Sequence, residues 1–188
     1  AKLAEALDGV LLIDEAYADF ASDNAMRLVS QYDNVIVLRS LSKGYSLAGL
    51  RFGYGAADPA LIEGLVKVKD SYNVDAAAIA AATAAILDQS YFYANVERIK
   101  TERQRLTESL RLLGLEVGDS QANFVLARYP KGSARPLFES LVSRNIFVRY
   151  FDLPGLEDKL RITVGTAEQN KILVAALRDI LSEKGNKP

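Results

Sequence analysis

Hydrophobic and polar positions follow two alternating patterns in the first part of the chain. Short apolar runs predict buried strands at residues 10–13 and 35–39, and a further short strand is predicted near residues 51–55. One helical pattern opens the chain, and another begins at Asp58, a capping residue followed by a proline in the first turn. Because crossover segments separate the strands, the pattern predicts an α/β fold with a mostly parallel sheet.

The second half of the chain has a different pattern. The alanine-rich stretch "DAAAIAAATAAILDQ" predicts a tightly packed helix, and "YFYANVERIKTERQRLTESLRLLG" predicts a long amphipathic helix that ends at Gly114. Short strands in "NFVLAR", "IFVRYF" and "LRITVG" then interleave with helices near residues 134–143 and 167–181, as is typical of a small α+β domain. We therefore predict two domains, residues 1–89 and residues 90–188, with the long helix connecting them.

Composition narrows the chemistry. The 188 residues are 49% hydrophobic and 25% charged, enough for a buried core. With 23 basic and 24 acidic side chains, no global charge attracts nucleic acid or an anionic membrane, so we predict neither as a partner. Cysteine and histidine are both absent, which excludes thiolate nucleophiles and removes the commonest base and metal ligand. We expect no metal site, and catalysis must use Lys, Tyr, Asp, Glu or a cofactor.

The ends of the sequence and its apolar runs give two further expectations. No run reaches the length of a membrane span and no signal peptide precedes the body, so we expect a cytoplasmic protein. The first residues, "AKLAEALDG", form a helical pattern with no initiator methionine and no capping residue in front. We therefore expect the chain to be part of a longer protein.

The first chemical motif is "VLLIDEAY", an apolar run that ends on Asp14 and Glu15. It predicts a buried strand that places carboxylates at its carboxyl end, where open α/β sheets bind their ligands. Two interpretations arise. The aspartate could serve magnesium beside a nucleotide, as in P-loop ATPases, or it could hold a cationic cofactor.

The second motif is "RSLSKGYSLAGLRFGYG". Ser40 and Ser42 lie two residues apart at the end of a strand, so their hydroxyls can point the same way. Together with Arg51, they offer the neutral and charged donors that suit a phosphate group. Lys43 lies between these donors, and a lysine with a lowered pKa can form a Schiff base.

A magnesium–nucleotide site receives no support from the rest of this chain. No segment has the glycine and lysine spacing of a Walker A loop, and "GYGAAD" is not a dinucleotide fingerprint because Asp58 occupies the place of its third small residue. Either loop could still lie upstream of the first residue. Pyridoxal phosphate accounts for Asp14, Lys43 and Arg51 together, since it needs a carboxylate, a lysine and phosphate donors.

These motifs resemble those of the fold-type-I pyridoxal-phosphate aminotransferases, and within that family the histidinol-phosphate branch. "LLIDEAYADF" and "SLSKGYSLAGLRFGY" are followed in the family's order by "SYNVDAAA", "QANFVLAR" and "LRITVGT". The resemblance spans nearly the whole chain but corresponds to the carboxyl-terminal half of a family subunit. It implies that residues 1–89 are part of the mostly parallel large-domain sheet that binds the cofactor, and that residues 90–188 form the small α+β carboxyl-terminal domain.

The resemblance also implies a function, with alternatives. It implies transamination between histidinol phosphate and 2-oxoglutarate in histidine biosynthesis, by a homodimer. A threonine-phosphate decarboxylase or an aromatic aminotransferase shares most of these motifs. A transcription regulator that uses an aminotransferase-like domain as a cofactor sensor is a further alternative, and it would carry a DNA-binding domain upstream.

Carried over residue by residue, the resemblance assigns roles around the cofactor. Asp14 would pair with the protonated pyridine nitrogen, and Tyr17 would hydrogen-bond the phenolic oxygen. Lys43 would form the Schiff base and then move the proton between the substrate and the cofactor. The cofactor phosphate would be held by Ser40, Ser42 and Arg51.

Four further residues are assigned to the substrate. Arg161 matches the arginine that receives the α-carboxylate, and Arg149 matches the arginine that contacts the substrate's own phosphate in the histidinol-phosphate branch. Asn123 and Tyr72 are predicted near the substrate pocket.

Plain structural interpretations stand beside these roles. Asp14 could cap a turn, and Ser40 and Ser42 could end the strand through local backbone bonds. We assign Glu15 and Asp19 to the surface or to a supporting position behind the site.

Overall fold

The computed structural model describes residues 1–185, with side chains through residue 183, and its packing divides the chain into two compact units. The first unit is Ala1–Val96, and the second begins at Glu97. The predicted domain boundary at residue 90 lies slightly earlier in the chain and stays a prediction.

A three-stranded sheet forms the centre of the first unit, in the order β1-β2-β3. The strands are β1 (Leu11–Asp14), β2 (Val35–Ser40) and β3 (Gly53–Ala57). β1 and β2 are parallel, as the crossover pattern predicts, whereas β3 is antiparallel to β2. β3 reverses direction because the loop after β2 turns straight back instead of crossing over the sheet through a long helix. Val35 and Val37 of β2 pack with Ala4 in the small core of this unit.

Helices α1 (Lys2–Ala6), α2 (Pro59–Val68) and α3 (Ala76–Leu87) complete the first unit. The predicted cap of α2 is confirmed, because Asp58 accepts the N–H of Ala60 at 2.9 Å. The tight packing predicted for α3 is wrong for this chain: Ala78 and Ala82 are buried, but the larger apolar side chains of the helix are exposed. Those exposed side chains belong to Ile79, Ile86 and Leu87.

The long helix α4 (Gln89–Leu112) leads into the second unit and stops two residues before Gly114, whose φ of 83° only glycine adopts readily. A four-stranded antiparallel sheet follows, in the order β4-β5-β7-β6. Its strands are β4 (Glu116–Val117), β5 (Phe124–Arg128), β6 (Arg149–Tyr150) and β7 (Lys159–Thr163), and its helices are α5 (Arg135–Val142) and α6 (Ala167–Gly185). β4 was not predicted, because two residues are too few to show an alternating pattern.

The second sheet has one buried and one outward face. Along β7, Leu160 and Ile162 are buried in the core while Arg161 between them is only partly covered. The alternation arises because successive side chains of a strand point to opposite faces. Leucines of α4, α5 and α6 cover the buried face. No helix in the part of the chain that the structure describes is both long and apolar enough to cross a membrane.

Candidate cofactor and anion-binding sites

The carboxyl ends of β1 and β2 lie side by side, and several predicted cofactor residues follow them. Asp14, the last residue of β1, is the ladder partner of Leu38 in the parallel strand β2. Glu15 continues the pairing by donating its N–H to the Leu38 carbonyl oxygen at 2.9 Å. Asp14 is exposed, and one of its carboxylate oxygens accepts the N–H of Ala16 at 3.0 Å. Asp14 therefore does cap a turn, and it also presents a carboxylate at the strand end.

Lys43 and Tyr17 are brought together by the turns that follow the two strands. The Lys43 Nζ atom lies 5.6 Å from the centroid of the Tyr17 ring. An ammonium group at this distance is attracted to the face of an aromatic ring. Both side chains are only partly covered. The predicted lysine and the predicted tyrosine thus share one accessible surface at the carboxyl end of the sheet.

The loop after β2 gathers the predicted phosphate donors. Ser42 donates its N–H to the Ser40 hydroxyl oxygen at 3.1 Å, and Leu41 donates its N–H to the Phe52 carbonyl oxygen at 3.1 Å. The second bond returns the chain beside Arg51 to the end of β2. Arg51 is exposed and has a φ of 54°, which is uncommon for a residue other than glycine and recurs at functional loops. Two hydroxyls and a guanidinium group therefore belong to one folded loop.

An ion cluster that the sequence did not predict lies behind this surface. The Arg39 Nε atom is 2.9 Å from a carboxylate oxygen of Glu15, and its Nη1 atom is 3.3 Å from a carboxylate oxygen of Asp19. The three side chains are 14%, 10% and 13% exposed, respectively. The surface interpretation of Glu15 and Asp19 is therefore wrong, whereas the supporting position stays open. The available signal was the strand register, which places Glu15 and Arg39 next to each other one residue beyond the Asp14–Leu38 pair.

The turn that carries Lys43 is held from two sides. The Asp19 carboxylate lies against Gly44, and burial raises the pKa of this carboxyl although Arg39 and the Gly44 N–H lower it. A Cβ atom at Gly44 would lie 2.3 Å from the Asp19 carboxylate and 2.8 Å from the Phe92 ring. Tyr45 stacks on the same Phe92 ring with centroids 4.2 Å apart. A side chain in place of Gly44 would therefore displace Asp19 or Phe92 from this packing.

Two arginines are neighbours on the outward face of the second sheet. Arg149 of β6 and Arg161 of β7 are ladder partners, so their like charges lie on adjacent strands. The Arg149 Cζ atom is 5.3 Å from the centroid of Phe151, and the Arg161 Cζ atom is 6.0 Å from it. Arg161 also lies 5.2 Å from the centroid of Phe124.

Neither member of this arginine pair has a carboxylate partner among the described residues. Other arginines of the second unit do have one: Arg128 contacts Glu116 and Asp158 at 2.7 Å and 2.6 Å. Two guanidinium groups held side by side on aromatic rings without a counter-charge leave a local excess of positive charge. The anion-binding role predicted for both arginines stays a prediction.

The two remaining predicted residues are less informative. Asn123 immediately precedes β5, and its carbonyl oxygen accepts the N–H of Val164 at 2.9 Å, which ties it to the end of β7. Tyr72 is 97% exposed, so nothing in the described chain packs against it. Their predicted positions near a substrate pocket stay predictions.

The donor set of the first unit matches the chemistry of pyridoxal phosphate. Asp14 offers a carboxylate for a cationic ring nitrogen, and Lys43 offers the amine that an aldehyde requires. The loop between β2 and β3 offers hydroxyl and guanidinium donors for a phosphate. Asp14 and Ser40 end two neighbouring parallel strands and Lys43 follows the second, at the usual ligand position in open α/β sheets.

Comparison with known sequences identifies a family and named relatives. The family model for aminotransferase class I and II matches residues 1–177. A histidinol-phosphate aminotransferase from a Nostoc species is 58% identical over 183 residues, which cover 97% of this chain and 52% of the relative. The chain therefore spans about half the length of the curated relatives that it matches.

Solved structures with the same fold cover the chain to a similar extent. The histidinol-phosphate aminotransferase of Clostridium acetobutylicum has a TM-score of 0.89 at 27% identity, covering 97% of this chain and 57% of that one. The enzyme of Sinorhizobium meliloti, solved in complex with pyridoxal-5'-phosphate, has a TM-score of 0.88 at 30% identity and covers 97% of this chain and 52% of its own. The predicted fold class is confirmed.

Proposed function

This chain belongs to the aminotransferase class I and II family, and we propose that the protein carrying it transfers an amino group from histidinol phosphate to 2-oxoglutarate, with pyridoxal phosphate as cofactor. The family predicted from the motifs is thereby confirmed. The activity of the whole protein is our proposal, because the chain covers 52% of its Nostoc relative. The main structural support is the position of the Lys43 amine above the Tyr17 ring, 5.6 Å from its centroid, at the strand end that carries Asp14.

Within this proposal, the residues of the first unit hold the cofactor. The bound cofactor supplies an electron sink for the negative charge that develops at the substrate's α-carbon. Asp14 would pair with the pyridine nitrogen and keep it protonated, and Tyr17 would donate to the phenolic oxygen. Lys43 would hold the aldehyde carbon and, once the substrate amine has replaced it there, its free amine would move the proton at the α-carbon. Ser40, Ser42 and Arg51 would bind the phosphate.

The arginine pair of the second unit supports a substrate with an anionic group. In the proposal, Arg161 binds a carboxylate through its planar fork of donors, which also orients the hydrogen that must leave. Arg149 binds the phosphate of histidinol phosphate. An uncompensated pair of guanidinium groups fits a doubly charged phosphate better than it fits a neutral side chain. Asn123 and Tyr72 are proposed to contact the substrate as well.

Spectroscopy and labelling of the protein expressed from its complete gene test the cofactor half of the proposal. Added pyridoxal phosphate should give the absorbance of lysine-bound cofactor, and borohydride reduction should attach a pyridoxyl group to Lys43, as peptide mass spectrometry would show. The variant Lys43→Ala should give neither signal. An unlabelled Lys43 in the folded wild-type protein would refute the enzyme proposal.

Substrate assays separate the proposal from its alternatives. Histidinol phosphate and 2-oxoglutarate should yield glutamate without release of carbon dioxide, which would exclude a threonine-phosphate decarboxylase. Aromatic amino acids should be poor amino donors. A DNA-binding domain encoded upstream, with no turnover, would favour the transcription regulator.

Arginine variants test the phosphate role. Arg149→Ala should raise the KM for histidinol phosphate roughly 10- to 100-fold, the value of one or two charge-assisted hydrogen bonds. The KM for 2-oxoglutarate should change much less, since this co-substrate carries no phosphate. Arg128→Ala is the matched control: Arg128 is an exposed arginine on β5 of the same sheet, but it is already paired with Glu116 and Asp158. Equal effects of both substitutions would contradict the assignment.

We also propose that the complete protein is cytoplasmic and that it is a homodimer; exposed apolar helices support the dimer. α3 is apolar at nearly every position, and such a helix is normally covered on all sides. Large exposed apolar side chains also occur on α2 and at the start of α4. They belong to Leu65, Val66, Val68, Tyr91 and Tyr93. Sedimentation analysis of the complete protein should give twice the subunit mass, and a monomer at micromolar concentration would contradict the dimer.

A further inference from the structure

We propose that Asp19, supported by Arg39 and Glu15, is a positioning residue that fixes the backbone of the Lys43 turn. The inference rests on the proposed function for the role of Lys43, but the contact between Asp19 and Gly44 belongs to the fold itself. None of the three charged residues touches the predicted cofactor donors through an ion pair. Their effect on the reaction is therefore expected to pass through Gly44.

The first step is how the strands place the cluster. Glu15 follows the last residue of β1, and Arg39 is the penultimate residue of β2, so the parallel register sets them next to each other. Glu15 also accepts the N–H of Ala25 at 2.5 Å. This bond holds the loop that follows the 3₁₀ turn Ala18–Phe20. Glu15 thus holds the Arg39 guanidinium at its Nε atom, while the Nη1 atom contacts Asp19. A side chain with this little freedom can orient a partner precisely enough to matter for catalysis.

The second step is the connection to Gly44. Asp19 lies in the 3₁₀ turn Ala18–Phe20, directly after the loop that carries Tyr17. Its carboxylate accepts the Arg39 guanidinium and lies against Gly44, so it joins the turn after β1 to the turn after β2. A Cβ atom at Gly44 would lie 2.3 Å from this carboxylate, so the two turns pack closely only with glycine here or with Asp19 displaced.

The third step is that Lys43 is fixed on both sides. Leu41 is fully buried and its N–H is bonded to Phe52, while the next turn is closed by the bond from the Ser46 N–H to the Lys43 carbonyl oxygen at 3.1 Å. The Asp19 carboxylate packs against Gly44, the residue that follows Lys43. The point at which the lysine side chain leaves the backbone is thereby set relative to Tyr17. An amine that must reach both a cofactor and a substrate hydrogen requires such placement.

Stability alone does not account for the cluster. One guanidinium is shared by two carboxylates in a place where all three side chains are at most 14% exposed, so the cluster carries an excess negative charge. Buried ion groups of this kind are often no more stabilising than apolar side chains of the same size. A positional role gives a reason for retaining them.

Hydrogen exchange tests the link between Asp19 and Gly44 without cofactor. Amide exchange in the cofactor-free complete protein is followed by mass spectrometry with fragmentation that isolates Gly44. Asp19→Ala should speed exchange of the Gly44 amide at least about tenfold, because the carboxylate that packs against Gly44 is removed and the turn can open more often. Asp19→Asn, which keeps an acceptor oxygen, should have a smaller effect. Unchanged Gly44 exchange in Asp19→Ala would overturn the proposal.

Kinetics test the consequence for Lys43. The value of kcat, measured per bound cofactor, should fall at least about tenfold in Asp19→Ala, with the KM of both substrates within about twofold of wild type. Val35→Ala is the control: Val35 is fully buried at the other end of β2, so this variant should lose stability but keep kcat per bound cofactor. An equal fall of kcat in both variants, or no fall in Asp19→Ala, would overturn the positioning role.

The two failures are distinguishable. If the wild-type protein takes up no cofactor on Lys43, the proposed function fails, while the exchange experiment still decides whether Asp19 fixes Gly44. If the wild-type protein is active but Asp19→Ala matches it in both experiments, the positioning role fails and the proposed function stands.

Discussion

Replacing Gly44 by alanine should destabilise the first unit by a predictable amount. The new methyl group would lie 2.3 Å from an Asp19 carboxylate oxygen and 2.8 Å from Phe92, whereas ordinary contacts begin at 3.4 Å. The carboxylate would therefore have to retreat by about 1 Å, which breaks its bond to Arg39. Overpacking costs about 1–3 kcal/mol and loss of a charged hydrogen bond about 1.5–3 kcal/mol, so we expect a total of roughly 3–5 kcal/mol.

Urea unfolding of the cofactor-free protein, followed by circular dichroism, would measure this loss. Gly49→Ala is the matched control, because a Cβ at Gly49 meets nothing within 4 Å and its φ is not positive. The control should be neutral or stabilising by up to about 1 kcal/mol. The double variant Gly44→Ala, Asp19→Ala should lose less than the sum of the single variants, since removal of the carboxylate relieves the clash. If Gly44→Ala unfolded within about 0.5 kcal/mol of wild type, our account of this turn would be refuted.

Three further predictions concern hydrogen bonds and pH. Asn170→Ala should cost about 2–4 kcal/mol in urea unfolding, because the buried Asn170 side chain bonds both the N–H and the carbonyl oxygen of Gly165. The Asn170 side-chain amide also donates to Glu102 and lowers the pKa of that carboxyl in the folded protein. Ionised Glu102 therefore stabilises the fold above its ordinary pKa of 4.5, and this stabilisation is lost as pH falls through the lower folded pKa. Glu102→Gln should therefore flatten the acid side of a plot of Tm against pH. Asp19 should show the opposite pH dependence, because burial raises the pKa of its carboxyl above 3.8 and the folded state then binds more protons than the unfolded state. The free energy of unfolding should therefore fall as pH rises just above 3.8. Asp19→Asn should remove this slope.

Local signals made much of the first unit predictable. A short apolar run identifies each of β1 and β2, because buried parallel strands have few polar residues. The run of β1 ends on carboxylates. The start of α2 follows from a cap and a proline that act within three residues of each other. The direction of β3 was less accessible. It depends on how the loop after β2 returns, which is fixed by the bond between Leu41 and Phe52.

Long-range contacts were not predictable from the sequence. Arg39 is the first residue of the motif "RSLSKGYSLAGLRFGYG". Its partners Glu15 and Asp19 can be identified only when the register of β1 and β2 is known. The exposure of Ile79 and Leu87 was missed for a related reason. Periodicity shows that a helix is apolar but not which surface covers it. Family resemblance supplied the site residues, and their roles stay proposals.

Net charge proved a poor guide to local fields in this protein. The sequence has a formal charge of −1, which argues against a general affinity for polyanions but says nothing about a single phosphate. In the first unit, two carboxylates surround one guanidinium at Arg39, a local excess of negative charge. In the second unit, Arg149 and Arg161 lie side by side without a carboxylate among the described residues. A nearly neutral chain can therefore concentrate positive charge at one place, because the compensating charges lie elsewhere in the fold.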